Sequence, residues 1–325
     1  MTHKFCFFHH HVNGDCWSTR LIVNHIIKHT QDINCEYFYT AHRAINSHCE
    51  DLGILPENFN NIPLVPDIKG VQYINDIIYL NLWIGYSPDL CFLCLKSLNM
   101  YYNTLITEIN NHCGLSIPLI TSENANDSCI AHVPFNYSKM DASALEQIKY
   151  FIEIKKQTYK KIILIQNYQV STKLLLNNID YSQHIHNLSA KYPNYLFMPY
   201  MNVTPNCSVS NIMSLDIFFN QIENKELHRI GTSMIYASYL STLCDKVICL
   251  ASGPGLYTFN EESKHIKNKF LMITTLEDVP GFSAPMCPTN ESKELCVNKY
   301  DLYYKVHFYS DNNLFLQEVE EFITM

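Results

Sequence analysis

The sequence predicts an α/β protein of two halves, each a mainly parallel sheet with helices between its strands. Three observations predict it. Short, β-rich apolar runs alternate with longer stretches whose apolar residues recur at helical spacing, the pattern of βαβ units. The alternation occurs once in residues 1–155 and again in residues 156–325. The chain's 325 residues are also enough for two domains at roughly 150 residues each.

In the first half, residues 5–8 are an aromatic run with the length of a buried strand, and Asn13-Gly14-Asp15 is a turn signal. Leu21, Ile22, Ile26 and Ile27 then recur at helical spacing, ending in Lys28 and His29. Residues 36–40 are short and β-rich. Residues 76–84 give the strongest strand signal of this half, and residues 91–113 are long enough for a helix of several turns.

In the second half, residues 143–157 read as a helix with a basic end, and residues 161–166 as a buried strand. Residues 180–192 form an amphipathic helix stopped by Pro193, and residues 195–198 a strand. A helix over 231–243 leads directly into a strand over 246–251, and residues 270–274 make a further strand. The division between the halves is expected within residues 135–158, giving domains 1–155 and 156–325.

Composition narrows the function classes. Apolar types are 47% and charged types 17%, enough for a sizeable core, which excludes a disordered or collagen-like chain. With 23 basic and 31 acidic residues, the net charge is −8 and no Lys/Arg block occurs. A broad electrostatic footprint for nucleic acid is therefore excluded, although single phosphate contacts are not. No apolar run approaches the roughly 18 residues of a membrane span. The apolar stretch before the N-terminal histidines is too short for a secretory core, so no transmembrane segment and a cytoplasmic protein are expected.

The 13 cysteines are odd in number and scattered. Cys91 and Cys94 have a CxxC spacing with no second pair to complete a zinc site, and buried, reduced thiols are expected. The Asn-x-Ser/Thr triplets follow from abundant Asn and carry no weight without a secretory signal.

Three segments could carry chemistry. His9, His10 and His11 lead through Val12 to Asn13, Gly14 and Asp15, between a buried strand and a helix. Ligands in open parallel sheets bind at the carboxyl ends of strands, and Asp15 near a helix N-terminus is stabilised as the anion. The same residues also read as a plain turn and an N-cap. Adjacent histidines in extended chain point to opposite faces, so no metal site is expected. The second segment, Ser252-Gly253-Pro254-Gly255, follows the best strand of the second half. Small residues there allow close backbone approach, and a helix starting near Pro254 would present free N–H groups to a phosphate; Thr258 adds a hydroxyl. It is neither a Walker A loop nor GxGxxG, and it also reads as an ordinary strand-to-helix turn. The third segment, Ser210 to Ile217 with residues 231–241, comprises a polar loop, a strand-like apolar run and a helix. It reads mostly as packing.

Gly14-Asp15 after the first strand, and Leu240-Ser-Thr-Leu-Cys-Asp-Lys-Val-Ile248 followed by Ala251-Ser-Gly-Pro-Gly255, together resemble the GT-B glycosyltransferases, in particular heptosyltransferase-like enzymes. The resemblance implies two Rossmann-like domains facing across a cleft. It places an acceptor, whether glycan, lipid or protein, on the N-terminal domain and a nucleotide-sugar donor on the C-terminal one. Asp15 would be the base, or a histidine such as His11, with His10, Asn13 and Gly14 as loop contacts. Ser252, Gly253, Pro254 and Gly255 would bind the donor diphosphate. Transfer would be inverting, by direct displacement, without metal or other cofactor; Asp76, Asp89 and Asp216 do not form a DxD-type pair. For a basic residue to neutralise the phosphates, Lys173, Arg229 and Lys264 are the candidates. A non-catalytic nucleotide- or glycan-binding protein of the same fold, or a nucleotide-sugar epimerase, are the alternatives. A serine hydrolase lacks its Gly-x-Ser-x-Gly elbow.

Overall fold

Strand β1 (His3–His9) alternates as a two-sided buried strand must: Phe5 and Phe7 enter one core, Cys6 and Phe8 another. The structure, a computed structural model, describes residues 2–9, 20–41, 53–54, 70–82, 95–120, 140–167, 181–201, 203, 209–222, 232–250, 258, 260–263, 269–274, 304–308 and 312–325. β1 is the middle strand of a five-stranded sheet. On one side it pairs in parallel with β2 (Cys35–Ala41), which pairs with β3 (Gly53–Ile54). The antiparallel edge strand β4 (Val71–Ile74) lies outside β5 (Ile77–Asn81), which pairs in parallel with the other side of β1.

Helix α1 (Arg20–Thr30) joins β1 to β2, and α2 (Leu95–Cys113) follows β5. Ile22 and Ile26 of α1, with Leu105, Ile106 and Ile109 of α2, cover the Phe5 face. The strand expected from residue 76 begins instead as a hairpin. Asn75 and Asp76 take positive φ (49° and 63°), the sign pattern of a type I′ turn between β4 and β5. Gly70, just before β4, lies against α2: a Cβ there would overlap Leu105 Cδ2 and lie 3.4 Å from the Tyr101 hydroxyl.

The second sheet is parallel throughout. Its strands are β6 (Lys161–Ile165), β7 (Tyr195–Pro199), β8 (Lys246–Leu250), β9 (Phe270–Thr274) and β10 (Tyr304–Phe308), in spatial order β10-β9-β8-β6-β7. Its helices are α3 (Ala142–Thr158), α4 (Tyr181–Lys191), α5 (Leu215–Phe219), α6 (Thr232–Leu243) and α7 (Asn312–Thr324). Ile162, Leu164, Leu196, Met198, Val247 and Cys249 face α3 and α6, whereas Ile163, Ile165, Phe197, Ile248 and Leu271 face α4 and α7. Both faces are covered, which is why β6 reads as an unbroken apolar run rather than an alternating one.

Helix α3 is capped by Asp141, whose carboxylate accepts from the Ala144 N–H at 3.1 Å. The Asp141 N–H in turn donates to the Tyr236 hydroxyl of α6 at 2.9 Å. Ala144, Leu145, Ile148 and Ile152 enter the core of the second sheet. The helix that a division at residue 155 leaves with the first half therefore packs on the second. The apolar run at 215–219 is a short helix capped by Ser214, not a strand. The helix expected over 91–113 is described from Leu95; Cys91 and Cys94 lie outside the described residues.

Candidate functional site

Strand order sets where a ligand can enter. From β1 the chain passes to β2 on one side, and later returns through β5 on the other. In the second sheet it passes from β6 to β7 on one side and returns through β8 on the other. Connections that diverge in this way leave a crevice at the carboxyl ends of the two strands they leave from, the topological switch point of a parallel sheet. One such point lies at the ends of β1 and β5, the other at the ends of β6 and β8.

At the first, the Leu82 N–H donates to the Phe8 carbonyl at 2.9 Å, extending the β1–β5 pair past the last strand residue. Asn81 is fully buried there, and its carbonyl accepts from the Tyr101 hydroxyl at 2.6 Å. The chain leaves this edge at His9, the last residue of β1, and is described again from Arg20. His10, His11, Asn13, Gly14 and Asp15 lie in that connection, outside the described residues.

At the second, the Gln166 N–H donates to the Ile248 carbonyl at 2.8 Å and the Tyr200 N–H to the Ile165 carbonyl at 2.9 Å. Asn167 ties the exit of β6 to that of β7: its amide donates to the Met201 carbonyl (3.2 Å) and its oxygen accepts from the Met201 N–H (2.8 Å). β8 ends at Leu250. Ser252, Gly253, Pro254 and Gly255 follow it and lie outside the described residues, as do Lys173, Arg229 and Lys264.

The anchors of this second connection are described. Cys249 on β8 is fully buried, which pushes its thiol up to about 12 against a lowering influence of Thr258. The amide nitrogen of Asn260, fully buried, is shared among the Ser241 hydroxyl (3.0 Å), the Thr258 carbonyl (3.1 Å) and the Ser238 carbonyl (3.2 Å). Its oxygen accepts from the Ser263 N–H at 3.1 Å. Ser241 passes the chain on, donating to the Ser238 carbonyl at 2.6 Å. The third segment of the sequence thus contributes Ser238 and Ser241 of α6 to the buried polar network around Asn260. Asn211 serves packing, its amide shared among the carbonyls of Ser189, Tyr195 and Tyr192. Asn260 and Asn167 were not singled out in the sequence; their only signal is an amide next to an apolar strand or a glycine turn.

Three lysines of the second sheet, Lys246 and Lys269 buried and Lys161 half-buried, sit at the opposite edge. Lys161 and Lys246 open β6 and β8, and Lys269 immediately precedes β9. Burial lowers both Lys246 and Lys269 to about 8. These ammonium groups lie at the amino ends of the strands, away from the switch point. Among the described residues, no group of three or more His, Cys, Asp or Glu is placed to hold a metal. No described helix is long and apolar enough to cross a membrane.

The crystal structure of the glycosyl transferase family 9 from Veillonella parvula DSM 2008 superposes on 98% of this chain and 89% of its own, with a TM-score of 0.51 and 12% identity. The chain has the GT-B fold. At that identity the likeness is one of fold alone. A second solved structure, UDP-GlcNAc 2-epimerase from Neisseria meningitidis bound to UDP-GlcNAc, spans all of both chains at 12% identity with a TM-score of 0.32, too low to carry weight. No protein-family model matches the sequence, and no curated protein does.

Proposed function

We propose that this GT-B protein is a glycosyltransferase that moves a sugar from a nucleotide-sugar donor to a hydroxyl of a glycan, lipid or protein acceptor. The observation that carries the reading is topological. The two connections singled out by their residues, one holding Asp15 and the other Ser252 to Gly255, each leave their sheet from the carboxyl end of a switch-point strand. The first half would hold the acceptor and the second the donor. We place the division before Met140, since α3 shares the second core.

The chemistry is a direct displacement of the heptosyltransferase-like kind. Asp15, or His11 beside it in the chain, takes the proton of the acceptor hydroxyl as its oxygen attacks the anomeric carbon. The bond from that carbon to the diphosphate oxygen breaks, inverting the centre. The negative charge of the departing nucleoside diphosphate falls on backbone N–H groups at Ser252, Gly253 and Gly255, and Pro254 sets the turn at a helix start. In this mechanism the donated N–H groups do the work that a metal ion does in other transferases.

The placement of the buried lysines at the far edge favours a second reading, a nucleotide- or glycan-binding protein of this fold without turnover. Thermal unfolding with UDP-, GDP-, ADP- and CMP-sugars, on wild type and Gly253→Asp, tests the donor site. At a hundredfold excess over its dissociation constant, a bound nucleotide stabilises the fold by about 2.7 kcal/mol. A shift with one nucleotide class, lost in Gly253→Asp, supports the donor site; no shift with any overturns it. Sugar transfer or hydrolysis of that donor separates enzyme from binder.

A further inference from the structure

We infer that His25 and His29 of α1 chelate a transition-metal dication of the Zn²⁺, Ni²⁺ and Cu²⁺ class, with water completing its coordination. The two residues are four apart on an α-helix, so their side chains lie on one face, one above the other. Their ring centres are 4.7 Å apart and the rings are tilted by 56°, which is not a parallel stack. Two imidazoles that each bind one ion at about 2.0–2.1 Å, at a right or tetrahedral angle, have centres roughly 4.5–5 Å apart. The pair therefore already stands at the spacing that a shared ion requires.

Spacing alone would also suit a plain ring contact, and the partner of His25 decides between the two. Its Nε2 lies 2.7 Å from the Pro118 carbonyl. A carbonyl only accepts, so Nε2 carries the proton and the lone pair of the neutral ring is on Nδ1. A far N–H held by a carbonyl is the outer-shell arrangement that orients metal-bound histidines. Pro118 is itself held firmly. The side chain of Asn110 on α2 exchanges two hydrogen bonds with Ile117 (2.8 and 2.9 Å), and that of Asn103 two with Ile120 (2.9 and 2.7 Å). His25 is thus preset and half-buried, while exposed His29 leaves the pair open to an ion from solvent. Helix α1 contains no acidic residue, so the donors are nitrogens, which favour these metals over Mg²⁺ and Ca²⁺. With two protein ligands, and Lys28 adding charge beside His29, the ion exchanges with solvent rather than being locked in.

Hydrogen exchange resolved along the full-length chain tests the site in place, because ions held by other histidines or thiols would leave α1 unaffected. With Zn²⁺ or Ni²⁺ at about 1 mM, amides of α1 should exchange at least about threefold more slowly, since opening the helix releases the ion. The protection should vanish in His25→Asn and in His29→Asn. His29 is exposed, so its substitution leaves the core intact, and it is the deciding variant because His25→Asn also gives up the Pro118 bond. Mg²⁺ at the same concentration should leave α1 unchanged. Three results would overturn the inference: no slowing of α1 in wild type, slowing that persists in His29→Asn, or equal slowing by Mg²⁺, which would reduce the effect to ionic strength.

Discussion

The Lys269 ammonium donates to the Thr242 carbonyl at 2.9 Å from a side chain only 1% exposed, at the C-terminal end of α6. Burial lowers its pKa from 10.5 to about 8, against the raising influence of Cys244 and Asp245. Below pH 8 the lysine is charged in folded and unfolded chains alike, and the cost of burying the charge is fully present. Between pH 8 and 10.5 the unfolded chain keeps a proton the folded chain has released, so stability rises with pH. Relative to Lys269→Met, wild type should gain up to about 3 kcal/mol across that window, measured by denaturant unfolding at pH 7.5 and 10.5. Buried Cys244 and Cys249, held up to about 12, work in the opposite direction above pH 9 but are common to both proteins. A gap that does not change with pH would show that Lys269 titrates normally.

Gly70→Ala should destabilise the first half by about 1–3 kcal/mol, the usual cost of overpacking. The added methyl overlaps Leu105 Cδ2, and Leu105 is itself buried between α2 and the sheet. Leu105→Val withdraws the clashing carbon, so the double variant should recover part of the loss. Denaturant midpoints of the three variants give the coupling directly; simple additivity would place the strain elsewhere.

What the sequence showed and what it hid follow one physical division. β1, β6 and β8 are buried on both faces, so their residues announce a strand wherever they sit. Residues 215–219 are as apolar as a strand and as short, and only the Ser214 cap and packing on the second core decide for a helix. The β4–β5 hairpin was hidden because its turn is Asn-Asp, without the glycine that marks a type I′ turn. Phe315, Val319, Phe322 and Ile323 recur at helical spacing, which is the sequence signal for α7. At the site, small and turn-forming residues marked both connections. The switch points, and the network around Asn260, depend on strand order and on contacts between distant segments, which local pattern does not contain.

Asp76→Gly should stabilise the β4–β5 hairpin by about 0.5–1 kcal/mol, because Asp76 holds a φ of 63° that glycine adopts freely. Asp76→Val, with a branched side chain in the same conformation, should cost at least as much. The side chain is exposed, so neither change disturbs the core, and thermal midpoints of the two variants should move in opposite directions.

Helix α7 tests whether its hold on the second sheet is apolar or ionic. Phe322 is buried under the Lys246 ammonium, 4.6 Å from its ring centre, and the Lys161 ammonium donates to the Ile323 carbonyl at 2.8 Å. Lys191 and Glu320 pair at 2.7 Å on the surface. Phe322→Ala should cost about 3–5 kcal/mol. Lys191→Ala should cost far less, since an exposed pair is screened by water and salt. Comparable losses in urea unfolding would mean that surface charge, not burial, docks the helix.

Asp15→Asn separates the two halves of the proposed site. The change keeps the size of the side chain and removes its basicity, so the rate of sugar transfer should fall about 10²–10⁴-fold, the contribution of a positioned general base. The dissociation constant for the nucleotide should not move, since the proposal places the donor on the other half. Gly253→Asp should behave in the opposite way, losing the nucleotide because a carboxylate would repel the diphosphate. His11→Asn distinguishes the two base candidates: a loss there with Asp15→Asn active would transfer the role to the imidazole. The measurement is single-turnover transfer from the nucleotide-sugar that stabilises wild type, with nucleotide affinity determined on the same preparations. If Asp15→Asn and His11→Asn both transfer at the wild-type rate, the connection after β1 does not supply the base.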